Sequence, residues 1–358
     1  MNPKTRSMIG ADVVKEVLAT AAKLGYHYDT AAGSLRSGTS HMVGFVVPNI
    51  GSPVFAPMLA GLSKRLKRES YSVITVEVGN TTAGELELVS ELSSRRMDGL
   101  ILATAHRQDP LVTYCVDNGI SAVLVNRAEE HSRLSAAVTN DLEAMRLAVD
   151  HLVSLGHRKI GHIAGPQDLS TGYLRLAGFR LAQAAHGLDT DKAFIEEAAS
   201  FDRQGGHTAA LRLLDRIPDL TAIAVASDLL ALGAYDALRQ RGLRCPEDVS
   251  IVGQNDMPFI DLVSPPMTTV RVDFEEMGAT AAELLLQTMS RQDQPLRNIV
   301  LSPSLVVRSS TQQVTNSRRP HSGPDIAASP ANDVGGTSVP PRKPVRRNGP
   351  LKSGNYGG

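Results

Sequence analysis

Along this chain, short apolar runs alternate with longer stretches in which apolar residues recur every three or four positions. The runs at 43–47, 72–78, 99–103, 121–125, 159–163, 194–198, 222–225, 250–253, 268–270, 298–301 and 305–307 read as strands. Helical spacing marks 54–67, 83–94, 111–118, 142–154, 171–185, 205–214, 228–241 and 275–289. Alternation at this spacing predicts parallel strands joined by crossover helices, and runs that are apolar at nearly every position predict sheets covered on both faces. Two such sets in succession predict two lobes.

The chain's ends read differently. Val13, Val17, Ala21 and Leu24 share one helix face while Asp12, Lys15, Glu16 and Lys23 fall elsewhere, and Gly25 is a natural stop. Asp29 and Thr30 then offer caps for a short second helix that stops at Ser37-Gly38-Thr39-Ser40. From Gln312 onward Pro, Gly, Ser and Asn dominate, so 312–358 is expected to be a disordered tail. It is basic, with Arg318, Arg319, Arg342, Lys343, Arg346, Arg347 and Lys352 against Asp325 and Asp333, and can attract DNA weakly through phosphate contacts.

Composition narrows the function classes. A chain of 358 residues has room for two or three domains, and 42% apolar with 21% charged residues is ordinary for a soluble protein. Basic and acidic side chains balance at 37 each, so any DNA contact must be local. No apolar run approaches the ~20 residues of a membrane span, and the N-terminus lacks a signal-peptide core. A cytoplasmic protein without a membrane partner is expected. Cys115 and Cys245 lack CxxC spacing, which supports neither a disulfide framework nor a metal site, and no cofactor is expected. The phosphate-binding GxxxxGK loop, HExxH, GxSxG and a GxGxxG after the first strand are all missing, and His162 in an apolar strand reads as core. The chain is not expected to be an enzyme.

In parallel sheets ligands bind beyond the carboxyl ends of the strands, and two lobes offer two such edges to one cleft. The candidates are therefore the polar and aromatic residues just after strands: Asn49, Ser52, Val54 and Phe55, then Gly165, Pro166, Asp168, Ser170, Thr171 and Arg175, then Phe201, Ser227-Asp228 and Asn255-Asp256.

The N-terminal pattern Ile9-Gly10, Val17, Ala21-Ala22, Leu24-Gly25-Tyr26 and Ala32-Gly33-Ser34-Leu35 resembles the lactose-repressor (LacI/GalR) family, and the resemblance continues to about Ser310. In that family a helix-turn-helix headpiece is followed by a hinge helix and a sugar-binding-protein-like core. The resemblance implies an α/β fold: a two-lobed periplasmic-binding-protein-like core of two parallel sheets flanked by helices with three crossovers, preceded by a partial helical DNA-binding headpiece. It places the headpiece and hinge at 1–40 and the ligand-binding and dimerisation core at 41–311. Lobe 1 takes about 41–156 and 273–301, lobe 2 about 157–272 and 302–311, with crossings near Gly156, Val272 and Ser302. The family's first two helices belong before this headpiece, where only Met1 to Met8 stand. Operator DNA binding by the chain as written is therefore expected to be weak or absent.

The same resemblance implies roles for particular residues. Ser34, Leu35 and Arg36 would form the DNA contact, with Leu35 wedged into the minor groove. Ala164-Gly165-Pro166, Thr171, Arg175 and Gly178-Phe179 match the segment whose hydroxyl residue and Arg hold ligand oxygens, while Phe201 matches a stacking aromatic. Val54 and Phe55, Ser227, Asn140 and Asn255 complete the ligand set. Asn140-Asp141 and Gln254-Asn255-Asp256 depart from the family's usual carboxylates, and amides donate as well as accept. The alternatives are an Arg175 paired with a neighbour, Phe55 and Phe201 as plain core, and Leu35 as a packed linker. The implied function is a repressor acting as a homodimer and responding to a small polar effector such as a sugar. The alternative is a soluble small-molecule-binding protein that has lost specific DNA binding.

Overall fold

The computed structural model describes residues 10–24, 39–78, 87, 89–91, 97–290 and 295–314. The contact residues Ser34, Leu35 and Arg36, the tail from 315 and most of the helix expected at 83–94 lie outside them. The first described helix is α1 (Ala11–Lys23), on which Val14 is buried while Val13, Val17 and Leu24 are exposed.

Two six-stranded sheets follow, as the alternating pattern predicts. Sheet 1 contains β1 (Met42–Val47), β2 (Ser72–Glu77), β3 (Gly99–Leu102), β4 (Ala122–Val125), β5 (Ala136–Thr139) and β11 (Asn298–Leu301), in the order β11-β5-β4-β3-β1-β2. Sheet 2 contains β6 (Ile160–Ala164), β7 (Ile195–Glu197), β8 (Ala222–Val225), β9 (Ser250–Asn255), β10 (Thr268–Arg271) and β12 (Ser304–Val306), in the order β12-β10-β9-β8-β6-β7. Each sheet repeats the other's order strand for strand. All pairs are parallel except β10 with β12, which run antiparallel. In both sheets the connections change direction beside the first strand, so the crevices open at the carboxyl ends of β1 and β3 and of β6 and β8.

Helices cover both faces of each sheet. On sheet 1, α2 (Phe55–Lys67) and α8 (Phe274–Ser290) bury Met58, Leu62, Met277 and Leu285 against Phe45 and Ile101, and α3 (Pro110–Asp117) covers the other face. On sheet 2, α4 (Asp141–Ser154) and α5 (Ser170–Ala185) share one face, and α6 (Arg203–Arg216) and α7 (Asp228–Gln240) the other. A Cβ on Gly61 would stand 1.9 Å from the Glu275 carbonyl oxygen, and one on Gly278 2.1 Å from that of Met58. Backbone therefore meets backbone where α2 and α8 cross, which seats α8 on sheet 1 although it follows a strand of sheet 2.

Two features depart from the sequence reading. Strand β5 has no counterpart among the expected strands: Ala136 and Ala137 are fully enclosed, but their small side chains give little apolar signal. The first crossing lies at Asn140 rather than near Gly156, because Ala144, Met145, Ala148 and Leu152 of α4 pack with Ile160, Phe179 and Val252 of sheet 2. The other crossings fall between β10 and α8 and between β11 and β12, where the chain passes from one sheet to the other.

His162 of β6 lies wholly inside sheet 2, stacked on Phe179 at 4.6 Å, with its Nδ1 2.8 Å from the Ala224 carbonyl oxygen. Burial holds its pKa down at about 4, the Ala224 carbonyl opposing, and burial likewise holds His157 at about 4. Below about 6.5 the unfolded chain takes up protons that these folded imidazoles refuse, so stability falls as pH drops from about 6.5 to about 4. For His162 the loss is on the order of 3 kcal/mol. Urea unfolding across that range should show His162→Leu losing less stability than the parent chain. Parallel curves would exclude His162 as a source of the acid loss.

Candidate functional site

Every candidate from Val54 to Asn255 sits at a carboxyl edge, but the structure uses them unequally. Arg175, one turn along α5 from Thr171, is buried, and so is Thr171. Its Nε donates to Asp141 Oδ1 at 2.8 Å and its Nη1 to the Ala226 carbonyl oxygen at 2.6 Å, just past β8. Gln254, at the end of β9, donates from Nε2 to the same Asp141 oxygen at 3.1 Å. One carboxylate thus draws together α4, α5 and two strand ends. Burial pushes the Asp141 carboxyl up, while the Arg175 guanidinium and the Gln254 amide pull it down.

Phe201 lies half-buried after β7, its ring centroid 5.9 Å from the Arg175 guanidinium carbon. The ring fills the space beside Gly165: a Cβ there would stand 2.1 Å from Phe201 Cζ, so the residue after β6 must be glycine for the aromatic to lie down. Phe55 is placed otherwise. It is buried in the lobe 1 core with its ring edge-on to Phe45, and Val54 packs against the same cluster.

Asn140 and Ser227 serve as helix caps. Asn140 Oδ1 accepts from the Glu143 amide at 3.1 Å, and Ser227 Oγ from the Leu230 amide at 3.3 Å. Asn255 has φ 121°, outside the range most side chains adopt, and Asp256 follows at φ 52°. That turn is held by Arg271 Nε and Arg308 Nη2, at 2.7 and 2.6 Å from the two Asp256 oxygens. Asp228 braces it from α7: its carboxylate accepts from Thr269 Oγ1 at 2.6 Å and from the Met257 amide at 2.9 Å, and burial still pushes it up to about 6.

Asp141 and Gln254 are thus the residues that the candidate set missed. The Asn140-Asp141 pair was visible, but only helix phase shows that the first residue caps and the second turns inward. Gln254 Oε1, Asn255 Oδ1, Thr139 Oγ1 and Thr104 Oγ1 are buried without a partner among the described groups. All four belong to residues at or just past the carboxyl ends of strands. The described residues contain no cluster of three His, Cys, Asp or Glu able to hold a metal ion, and no helix long and apolar enough to cross a membrane.

Two parallel sheets of equal order, with the candidate groups at their carboxyl edges, match known proteins. Residues 149–311 fit the family model of the periplasmic binding protein-like domain. The HTH-type transcriptional regulator MalR of Streptomyces coelicolor is 33% identical over 318 residues, covering 87% of this chain and 91% of that protein. The chain belongs to the LacI family of transcriptional regulators. Among solved structures, the transcriptional regulator CelR–cellobiose complex is similar at TM-score 0.72 and 30% identity, over 84% of this chain and 91% of that one. The lac repressor dimer bound to operator and the anti-inducer ONPF matches at TM-score 0.72 and 27% identity, over 80% and 99%. Membership of the LacI family makes the chain a regulator, not an enzyme.

Within this LacI-family core, the Asp141–Arg175 pair is balanced by its own enclosure. Losing one partner strands a buried charge and typically costs ~3–5 kcal/mol, whereas replacing both with apolar groups of similar volume is often close to neutral. Urea denaturation of Arg175→Met should show a loss of that size, largely recovered in Asp141→Leu/Arg175→Met. Equal losses in the single and double variants would contradict the pairing.

Proposed function

We propose that this LacI-family regulator takes a small, neutral, hydroxyl-rich effector between its two lobes, against Phe201 and beside Thr171, Arg175 and Asn255. The observation that carries this reading is a charge-balanced site floor. Arg175 is neutralised by Asp141, which leaves its guanidinium no unpaired charge to offer an anionic ligand. A neutral ligand rich in hydroxyls suits such a floor, whereas a carboxylate or phosphate brings a charge that Arg175 no longer balances. The half-buried Phe201 ring offers a face for the apolar side of a sugar ring. The cellobiose in the CelR complex supports the class and not the compound.

Residues 41–311 form the effector-binding and dimerisation core in this reading, and 1–40 the headpiece and hinge. The chain acts as a homodimer on operator DNA, with Ser34, Leu35 and Arg36 at the DNA and the basic tail adding phosphate contacts from residue 315 onward, since Gln312 and Val314 are hydrogen-bonded to lobe 2. The lac repressor dimer on its operator supports that arrangement. Two symmetric hinges suit a palindromic site, and Leu35 is the type of apolar side chain that opens a minor-groove step.

A thermal-shift panel of neutral mono- and disaccharides, polyols, sugar phosphates and sugar acids tests the reading. A neutral member should stabilise the protein, and calorimetry with that compound should show Phe201→Ala weakening it about tenfold, or ~1.4 kcal/mol. Stabilisation by the anionic members alone, or an unchanged affinity for Phe201→Ala, would overturn it.

A further inference from the structure

Arg175 and Phe201 both belong to lobe 2, and the lobes touch elsewhere. Loops 103–109 and 126–135 of lobe 1 meet loop 165–170 and the first turn of α5 in lobe 2. Arg107 is the centre of this contact. Its backbone amide donates to the Asp168 carbonyl oxygen at 2.9 Å, its Nη1 donates to the Gln167 carbonyl oxygen at 3.1 Å, and its guanidinium carbon lies 3.7 Å above the Tyr173 ring centroid. Nη2 pairs with Glu130 of its own lobe, whose amide donates back to the Arg107 carbonyl oxygen at 2.8 Å. On either side, His106 Nδ1 lies 3.0 Å from Asp168 Oδ2, and the Ala128 amide donates to Ser170 Oγ at 3.0 Å.

We propose that Arg107 is the bolt of an interlobe latch, which holds lobe 1 to loop 165–170 and Tyr173 and so sets how readily the cleft opens. The guanidinium suits this duty. It is flat enough to stack on Tyr173 while its edge still donates to Gln167 and Glu130. Glu130 fixes the side chain from behind, so little freedom remains to be lost when the lobes meet. Every contact is made by the chain's own groups, and none uses Thr171, Arg175, Phe201 or Asn255. Ser170 and Tyr173 point to lobe 1, while Thr171 and Arg175, on the neighbouring face of the same helix, are buried beside the cleft. The latch therefore works whether or not the effector class proposed above is correct.

Such a bolt acts through populations. A compound that binds only the closed arrangement loses apparent affinity in proportion to the fraction of molecules that are open. The latch thereby contributes to the affinity of any effector without touching it.

Hydrogen exchange of the protein without added ligand tests this at a residue that is not mutated. In Arg107→Ala and in Tyr173→Ala, the Ala128 amide should exchange at least about tenfold faster than in the parent, since its acceptor Ser170 lies across the interface. The amide of Ile163, in the middle of a sheet 2 strand, should keep its rate and so report an intact fold. Tyr173→Phe keeps the ring and should exchange like the parent. Tyr173 is 44% exposed, so its truncation remains informative if Arg107→Ala folds poorly. Parent-like exchange at Ala128 in Tyr173→Ala, or acceleration at Ala128 and Ile163 alike, would overturn the latch.

Discussion

A guanidinium and a carboxylate enclosed together at the edge of sheet 2 constrain most of what surrounds them. Arg175 and Asp141 are each about nineteen-twentieths buried, and an ionic group removed from water that far is tolerated only with its partner and its remaining hydrogen bonds in place. Meeting that demand fixes several elements at once. Helix α4 must be capped by Asn140 for Asp141 to turn inward, α5 must lie along β6, β8 must end with the Ala226 carbonyl oxygen presented, and β9 must bring Gln254 into reach. Phe201 then lies beside the pair, with room only because residue 165 lacks a side chain. The pair is better understood as fixing geometry than as adding stability, since an apolar replacement of equal shape would hold as well.

The repeated strand order explains why such a site can work as a switch. Each sheet presents its crevice at carboxyl ends, and the chain passes between sheets through short segments near Asn140, Val272 and Ser302. Contacts that bridge the lobes decide how far they part. Arg107 and Tyr173 bridge them with chain groups alone, and an effector adds bridges of its own. Its leverage over the protein's state equals its preference for one arrangement over the other. Ligand groups shared between the two lobes give the molecule that preference.

How much of this the sequence disclosed follows from the physics of each residue. Strands such as β1 and β4 were legible because their side chains are large, apolar and enclosed on both faces. Strand β5 was not, because Ala136 and Ala137 are buried yet nearly silent in any hydrophobic pattern. The strand-end placement of Arg175, Thr171, Phe201 and Asn255 was legible, since each follows or ends a strand in the sequence. Phe55 followed the same rule and yet packs in the lobe 1 core. Asp141 and Gln254 needed helix phase and cross-strand register, which neighbouring residues do not reveal. Arg107 and Tyr173 were the least legible, because a loop contact between lobes leaves no periodicity and joins residues 66 apart in the chain.

In this reading, occupancy between the lobes and occupancy of DNA are linked. Linkage requires the effector to change the affinity for DNA by the factor with which DNA changes the affinity for the effector. The direct measurement is fluorescence anisotropy on a palindromic site selected by the full-length protein from random duplexes, titrated with and without the stabilising neutral sugar at near-physiological salt. Such linkage predicts a change in DNA affinity of at least about fivefold, with Phe201→Ala requiring more sugar for the same change. An identical DNA affinity at saturating sugar, with binding of the sugar verified in the same sample, would contradict it.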